Sequence, residues 1–145
     1  MMIDNIKIFL TPFLVMIIVQ AIKSVIDARK GEFNWNLMLN YGGMPSGHTA
    51  LIVSTATVIG LAEGFGSSVF LLAAIIALLT MRDAVGFRAQ LSEHAKIINK
   101  LIKELPDDRE YSYPYSLERL GHTPLQVLVG AIVGILLTLI IYYLI

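Results

Sequence analysis

Two histidines stand where a polar string gives way to an apolar run, His48 in Pro45-Ser46-Gly47-His48 and His122 in His122-Thr123-Pro124-Leu125-Gln126-Val127. An imidazole can attack an electrophile or give a proton to a leaving group, so a facing pair suits phosphoryl transfer. Upstream of His48, Gly42-Gly43-Met44-Pro45 lets the backbone approach a ligand closely. Pro45 is pre-set to open a helix whose first amides, with the helix dipole behind them, would seat an anion. After His122, Thr123 suits an N-cap and Pro124 a first helical residue, and Gln126 can reach back from the first turn. Lys23, Arg82, Asp83 and Arg88 are further ionisable groups at the margins of apolar runs. For any one of them, anchoring at a membrane interface is the plainer explanation. The convergence of six such groups on one face is what that explanation leaves out.

The elements that must position these residues are apolar. Of the 145 residues, 56% are hydrophobic and 15% charged, a balance that places most of the chain in lipid. Four stretches stand out, at about 6–22, 46–62, 67–81 and 125–145. The last has no charge and is long enough to cross a bilayer. The two middle stretches, joined by Glu63-Gly64-Phe65-Gly66, are expected to form a full hairpin. The first run lacks the basic leader and cleavage site of a secretory signal and is expected to remain as a helix. The prediction is an all-α integral membrane bundle, one domain over 1–145, with about four transmembrane helices and one amphipathic interfacial helix. Cysteine is absent, which excludes disulfide and thiol chemistry.

The net charge is zero, so placement carries the information. Ten of the eleven Lys and Arg residues, all but Lys7, fall in the connections after the first stretch and before the last. Those connections share a side of the membrane, and the positive-inside rule makes it cytoplasmic. The expected location is the cell membrane, multi-pass, with the chemical face toward the cytoplasm. Within the long connection, Leu91, Ala95, Ile98, Leu101, Ile102 and Leu105 make one apolar stripe between charged residues. A helix of that kind lies on the membrane surface or packs under the bundle. Pro106 to Glu110 should end it, and Tyr111, Tyr113 and Tyr115 suit the headgroup zone. His94, on the same helix, reads as solvated. Gly130 and Gly134 permit close helix contact, inside one chain or between two copies.

Pro45 to His48, followed by His122, Pro124, Val127 and Gly130, resembles the type 2 phosphatidic acid phosphatase and vanadium haloperoxidase superfamily. Asp83-Ala84-Val85-Gly86-Phe87-Arg88, Asn99 and Leu120 to Pro124 resemble its divergent membrane branch, so the likeness spans Lys23 to Gly134. The resemblance implies a lipid phosphatase, a hydrolase of lipid metabolism that needs no metal or cofactor and works through a phosphohistidine. It gives His122 the role of nucleophile and His48 that of general acid. Ser46, Gly47, Lys23 and Arg88 would bind phosphate. Better-known members carry an Arg-Pro pair after the lysine, where Arg29 and Lys30 lie six and seven residues on. They carry Ser-Arg six residues before the second histidine, where this chain has Ser116-Leu117. That leaves the arginine to Arg88, with Arg82 and Arg119 in reserve. The acid four residues after the nucleophile is replaced by Gln126, and Asp83 is the candidate substitute.

The expected partners are the bilayer and a phosphorylated lipid of the phosphatidylglycerophosphate or phosphatidate type. No nucleic acid is expected, and a homo-oligomer is compatible with the pattern. The rival is a membrane protein that binds or translocates a phosphorylated lipid without cleaving it. A purely structural bundle accounts for the hydropathy but not for the paired histidine strings.

Overall fold

The computed structural model describes residues 2–29, 43–105, 113–118 and 120–144. Lys30, Gly42, Arg119, Tyr111 and the 106–110 stretch lie outside the described residues. Among the described residues five helices follow one another: α1 (Met2–Arg29), α2 (Gly47–Glu63), α3 (Ser68–Val85), α4 (Phe87–Glu104) and α5 (Pro124–Leu144). Among the same residues three runs are long and apolar enough to cross a membrane: Ile6–Arg29, Ser68–Glu104, which joins α3 to α4, and Pro124–Leu144. The fourth expected span, α2, has 17 residues, about 25 Å at the usual rise.

The direction of each helix follows from side-chain register. A Cβ on Gly130 would lie 2.7 Å from the Ser46 carbonyl oxygen, and one on Gly134 would lie 2.8 Å from that of Ala50. One turn further on, Thr138 Oγ1 and Ser54 Oγ share a hydrogen bond at 2.6 Å, with the Thr138 proton committed to the Gly134 carbonyl. Both series climb by four residues, so α2 and α5 run parallel and begin at the same end. The Gly130 and Gly134 pair is therefore spent inside the chain, where the missing side chains let two backbones meet. Helix α1 opposes them. Lys7 Nζ donates to the Tyr142 carbonyl at 3.1 Å, while Lys23 lies beside Gly43 at the other end. Helix α3 returns from α2 through Gly64 and an N-cap at Ser67, whose hydroxyl accepts the Phe70 amide at 3.2 Å.

Helix α2 is the centre of the bundle and packs against α1, α3 and α5. Its buried residues are Thr49, Ala50, Ser54, Ala56, Val58 and Gly60, small enough for close approach on several sides. Among the described residues, the large apolar side chains left exposed fall on the other helices and the flanking segments, none on α2. Thus α1, α3 and α5 turn apolar faces outward, as a bilayer demands, while Val15, Val19, Ala50 and Ile141 close the interior.

Several boundaries differ from expectation. Helix α1 continues past Ile22 to Arg29 because Lys23-Ser24-Val25-Ile26-Asp27-Ala28 contains no helix breaker, so Lys23 lies inside the helix. It continues the buried stripe of Thr11, Val15 and Val19 at four-residue spacing. Arg82 and Asp83 likewise fall inside α3, which ends only at Gly86. Ser46 is the N-cap of α2 and Gly47 its first residue, so Pro45 precedes the helix rather than opening it.

Candidate active site

His122 is held from three directions. Thr123 and Gln126 form a reciprocal capping box: the Thr123 amide donates to Gln126 Oε1 at 3.0 Å, and the Gln126 amide donates to Thr123 Oγ1 at 3.3 Å. Gln126 Oε1 also lies 3.3 Å from His122 Nδ1. An amide oxygen only accepts, and the Thr123 bond fixes which end of the amide is oxygen, so Nδ1 carries the proton. Nε2 is then the nitrogen with a lone pair. The second hold is α3, where the Ala84 carbonyl accepts the His122 amide at 3.1 Å. The third is α4, where Ser92 Oγ accepts the amides of Leu120 at 3.0 Å and Gly121 at 2.8 Å. Gly121 is required there, since a Cβ would sit 2.5 Å from Ala89 Cα.

His48 stands exposed in the first turn of α2. Because α2 and α5 start side by side, the two histidines share one end of the bundle. Ser46 joins the strings directly, its amide donating to the Gln126 carbonyl at 3.3 Å. Its hydroxyl is fully buried and accepts from Thr49 N at 3.4 Å and Thr49 Oγ1 at 2.9 Å. Ser46 is thus a cap and a packing contact for Gly130, not the side-chain phosphate ligand expected. The Gly47 N–H leads the helix, ahead of the two amides that Ser46 takes.

Lys23 is 8% exposed and reaches toward the start of α2. Its Cε would be 2.9 Å from a Cβ on Gly43, whose φ of +86° also favours glycine. Arg88 pairs with Asp83, Nε to Oδ2 at 2.7 Å. This corrects the expected role of Asp83: the partner of His122 Nδ1 is Gln126, and the carboxylate orients Arg88 instead. The pair engages Nε and leaves the two terminal amino groups of the guanidinium outside that bond.

Electrostatics ties these groups together. Lys23 and Arg88 both act on His48. Burial lowers the His122 pKa below its ordinary 6.5, the Gln126 hydrogen bond opposes this, and the charges of Lys23, His48 and Arg88 lower it further. His122 is consequently neutral at pH 7, the form a nucleophile needs. On its α4 side it lines an open cavity of about 490 Å³ with Gln126, Thr123, Glu93, Lys96 and Glu118, in which no lining residue is a large apolar one.

Two further residues, on α4, position the segment that leads to His122. Ser92 and Asn99 are buried on α4, seven residues apart on one face. Asn99 Nδ2 donates to the Ser116 carbonyl and to Glu118 Oε1, both at 2.8 Å, and Asn99 Oδ1 accepts the Ser116 amide at 2.8 Å. Their signal was two polar residues at helical spacing beside the apolar stripe.

The family model described as "Divergent PAP2 family" matches residues 4–137. A relative from Bacillus subtilis (strain 168), described as "Uncharacterized membrane protein YuiD", is 39% identical over 123 residues, covering 77% of this chain and 78% of the relative. No solved structure matches. A match across the helices, both histidine strings and the connection between them means that the chain belongs to the divergent PAP2 family.

Proposed function

We propose that this protein is a multi-pass membrane phosphatase that hydrolyses a lipid phosphomonoester through a phosphohistidine. The observation that carries the reading is that His48 and His122 stand at the shared start of α2 and α5, with Lys23 against Gly43 and Arg88 in the first turn of α4. His122 Nε2 attacks phosphorus as the ester oxygen departs with a proton from His48. Lys23, Arg88 and the Gly47 amide stabilise the equatorial oxygens. A phosphate dianion seated among these cations offsets their field and favours protonated His48. Water then attacks the P–N bond, its proton passes to His48, and inorganic phosphate leaves with His122 restored.

The polar cavity beside His122 favours a lipid whose terminal phosphate is carried on a polar spacer, as in phosphatidylglycerophosphate, over phosphatidate. The clustering of Lys and Arg in the connections at this end favours a cytoplasmic face. A phosphate-release screen over purified lipid monophosphates, with and without magnesium, tests the reading. Release without metal that stops in His122→Ala supports it, and a strict metal requirement contradicts it. A cysteine introduced at Asp107 should react from the cytoplasmic side, and labelling from outside only would reverse the orientation.

One observation favours a second reading, in which the site holds a phosphorylated lipid without turnover. Gln126 orients the imidazole but cannot offset the charge of an imidazolium, as the usual carboxylate would. Saturable lipid-phosphate binding with no release by the wild-type protein would select it.

A further inference from the structure

Helix α4 has two unlike faces, and among the described residues only one of them is packed against the rest of the chain. Ser92, Ala95 and Asn99 are buried, while Phe87, Leu91, Ile98, Leu101 and Leu105 form an exposed stripe at intervals of three, four and seven residues. Among the described helices α4 packs against α3 alone. The expected alternative, in which the apolar stripe packs under the bundle, is therefore not the one adopted.

What covers the stripe is indicated by continuity. Helix α3 turns Leu71, Leu72, Ile75, Leu78 and Leu79 outward, and past Arg82, Asp83 and the break at Gly86 the exposed apolar residues resume at Phe87, on the next helix of the same run. Lys100 and Lys103 lie on the sides of α4 away from the stripe, where long basic chains can extend toward anionic headgroups, while Lys96 is paired with Glu93 at 2.7 Å. The segment docked on the polar face exposes Tyr115 and Leu117, which suit the same depth.

We propose that α4 is a bilayer-docking helix. Its apolar face seats in the headgroup and acyl boundary of an anionic leaflet, and its polar face holds Ser116, Glu118, Leu120 and Gly121 at a fixed height above that surface. The membrane thereby becomes the third wall of the site. Ser92 and Asn99 transmit the seating of α4 to Gly121 and His122 through the hydrogen bonds described above.

The chain has no cysteine, so single-cysteine variants report cleanly. Ile98→Cys and Lys100→Cys, each labelled with an environment-sensitive fluorophore, are reconstituted in vesicles of phosphatidylcholine and phosphatidylglycerol. The Ile98 label should emit to the blue, lose emission to a nitroxide carried near the lipid carbonyls, and resist aqueous iodide. The Lys100 label should do the reverse. Equal quenching of both labels from water overturns the proposal. Protection of the Ile98 label that disappears when protein is diluted at constant lipid also overturns it, because a second copy is then the cover. Neither readout depends on turnover, so the result stands apart from the fate of the phosphatase reading.

Discussion

Gln126 Oε1 accepts the Thr123 amide at 3.0 Å and lies 3.3 Å from His122 Nδ1, so one side-chain oxygen caps α5 and fixes the tautomer of the imidazole beside it. With three histidines in the chain, the ¹⁵N signals of His122 are assignable by substituting His48 and His94. They should show protonated Nδ1 and unprotonated Nε2. Gln126→Ala should mix the tautomers and slow phosphate release roughly 10- to 100-fold, the scale on which orienting partners of a reactive imidazole act. Gln126→Glu should restore the tautomer and raise the His122 pKa. An Nε2-protonated wild-type ring would contradict the assignment.

The pH dependence has a definite sign. The folded His122 pKa lies below 6.5 because the ring is buried and Lys23, His48 and Arg88 are near. The neutral ring therefore persists below pH 6.5 and is lost only as pH falls through the folded value. Between those two values the unfolded chain binds a proton that the native one does not, so stability also declines as the medium is acidified from 6.5. An NMR titration of His122 with its midpoint above 6.5 would be inconsistent with this environment. Removing one contributor, in Lys23→Met, should move the midpoint upward.

Asp83 acts through Arg88. Asp83→Asn should raise KM by releasing the guanidinium from its anchor, with a smaller effect on kcat. The His122 titration and tautomer should not change. A shift of the His122 midpoint as large as that in Gln126→Ala would return Asp83 to the side of the nucleophile.

His48 as general acid predicts a loss of about 10²- to 10⁴-fold in His48→Ala with a natural lipid ester. With an ester of an acidic phenol, whose oxygen leaves unaided, the loss should shrink. An equal loss on both substrates would assign His48 to binding instead.

The parallel seam between α2 and α5 predicts its own stability series. Gly130→Val forces a side chain into the Ser46 backbone and should cost about 1–3 kcal/mol. Thr138→Val removes the bond to Ser54 and should cost about 0.6 kcal/mol, with a ceiling near 1.7. Equilibrium unfolding in mixed micelles measures both, and a neutral Gly130→Val would argue against the register.

Much of the site was legible because it rests on local chemistry. Thr123, Pro124 and Gln126 announce a helix start, α5 begins at Pro124, and Gln126 reaches back to His122 as its place in the first turn implies. The all-helical membrane architecture followed from hydropathy and charge placement. What was not legible depends on contacts between distant segments. The chemical need of an imidazolium points to Asp83 as its acid, whereas the fold turns that carboxylate to Arg88 across the break at Gly86 and gives His122 Nδ1 to Gln126. The resemblance implies a phosphate ligand at Ser46, but the close approach of Gly130 buries its hydroxyl. The positioning role of Ser92 depends on chain folding back over 28 residues, which local periodicity does not encode.

The central claim is that phosphorus is transferred to His122. Rapid quenching of the protein with a ³²P-labelled lipid monophosphate, followed by alkaline proteolysis, should yield label that is stable to base, labile to acid and carried on the peptide containing His122, and none in His122→Ala. Turnover of the same substrate with no label on that peptide, or with oxygen from solvent inserted in a single inverting step at phosphorus, would contradict the account.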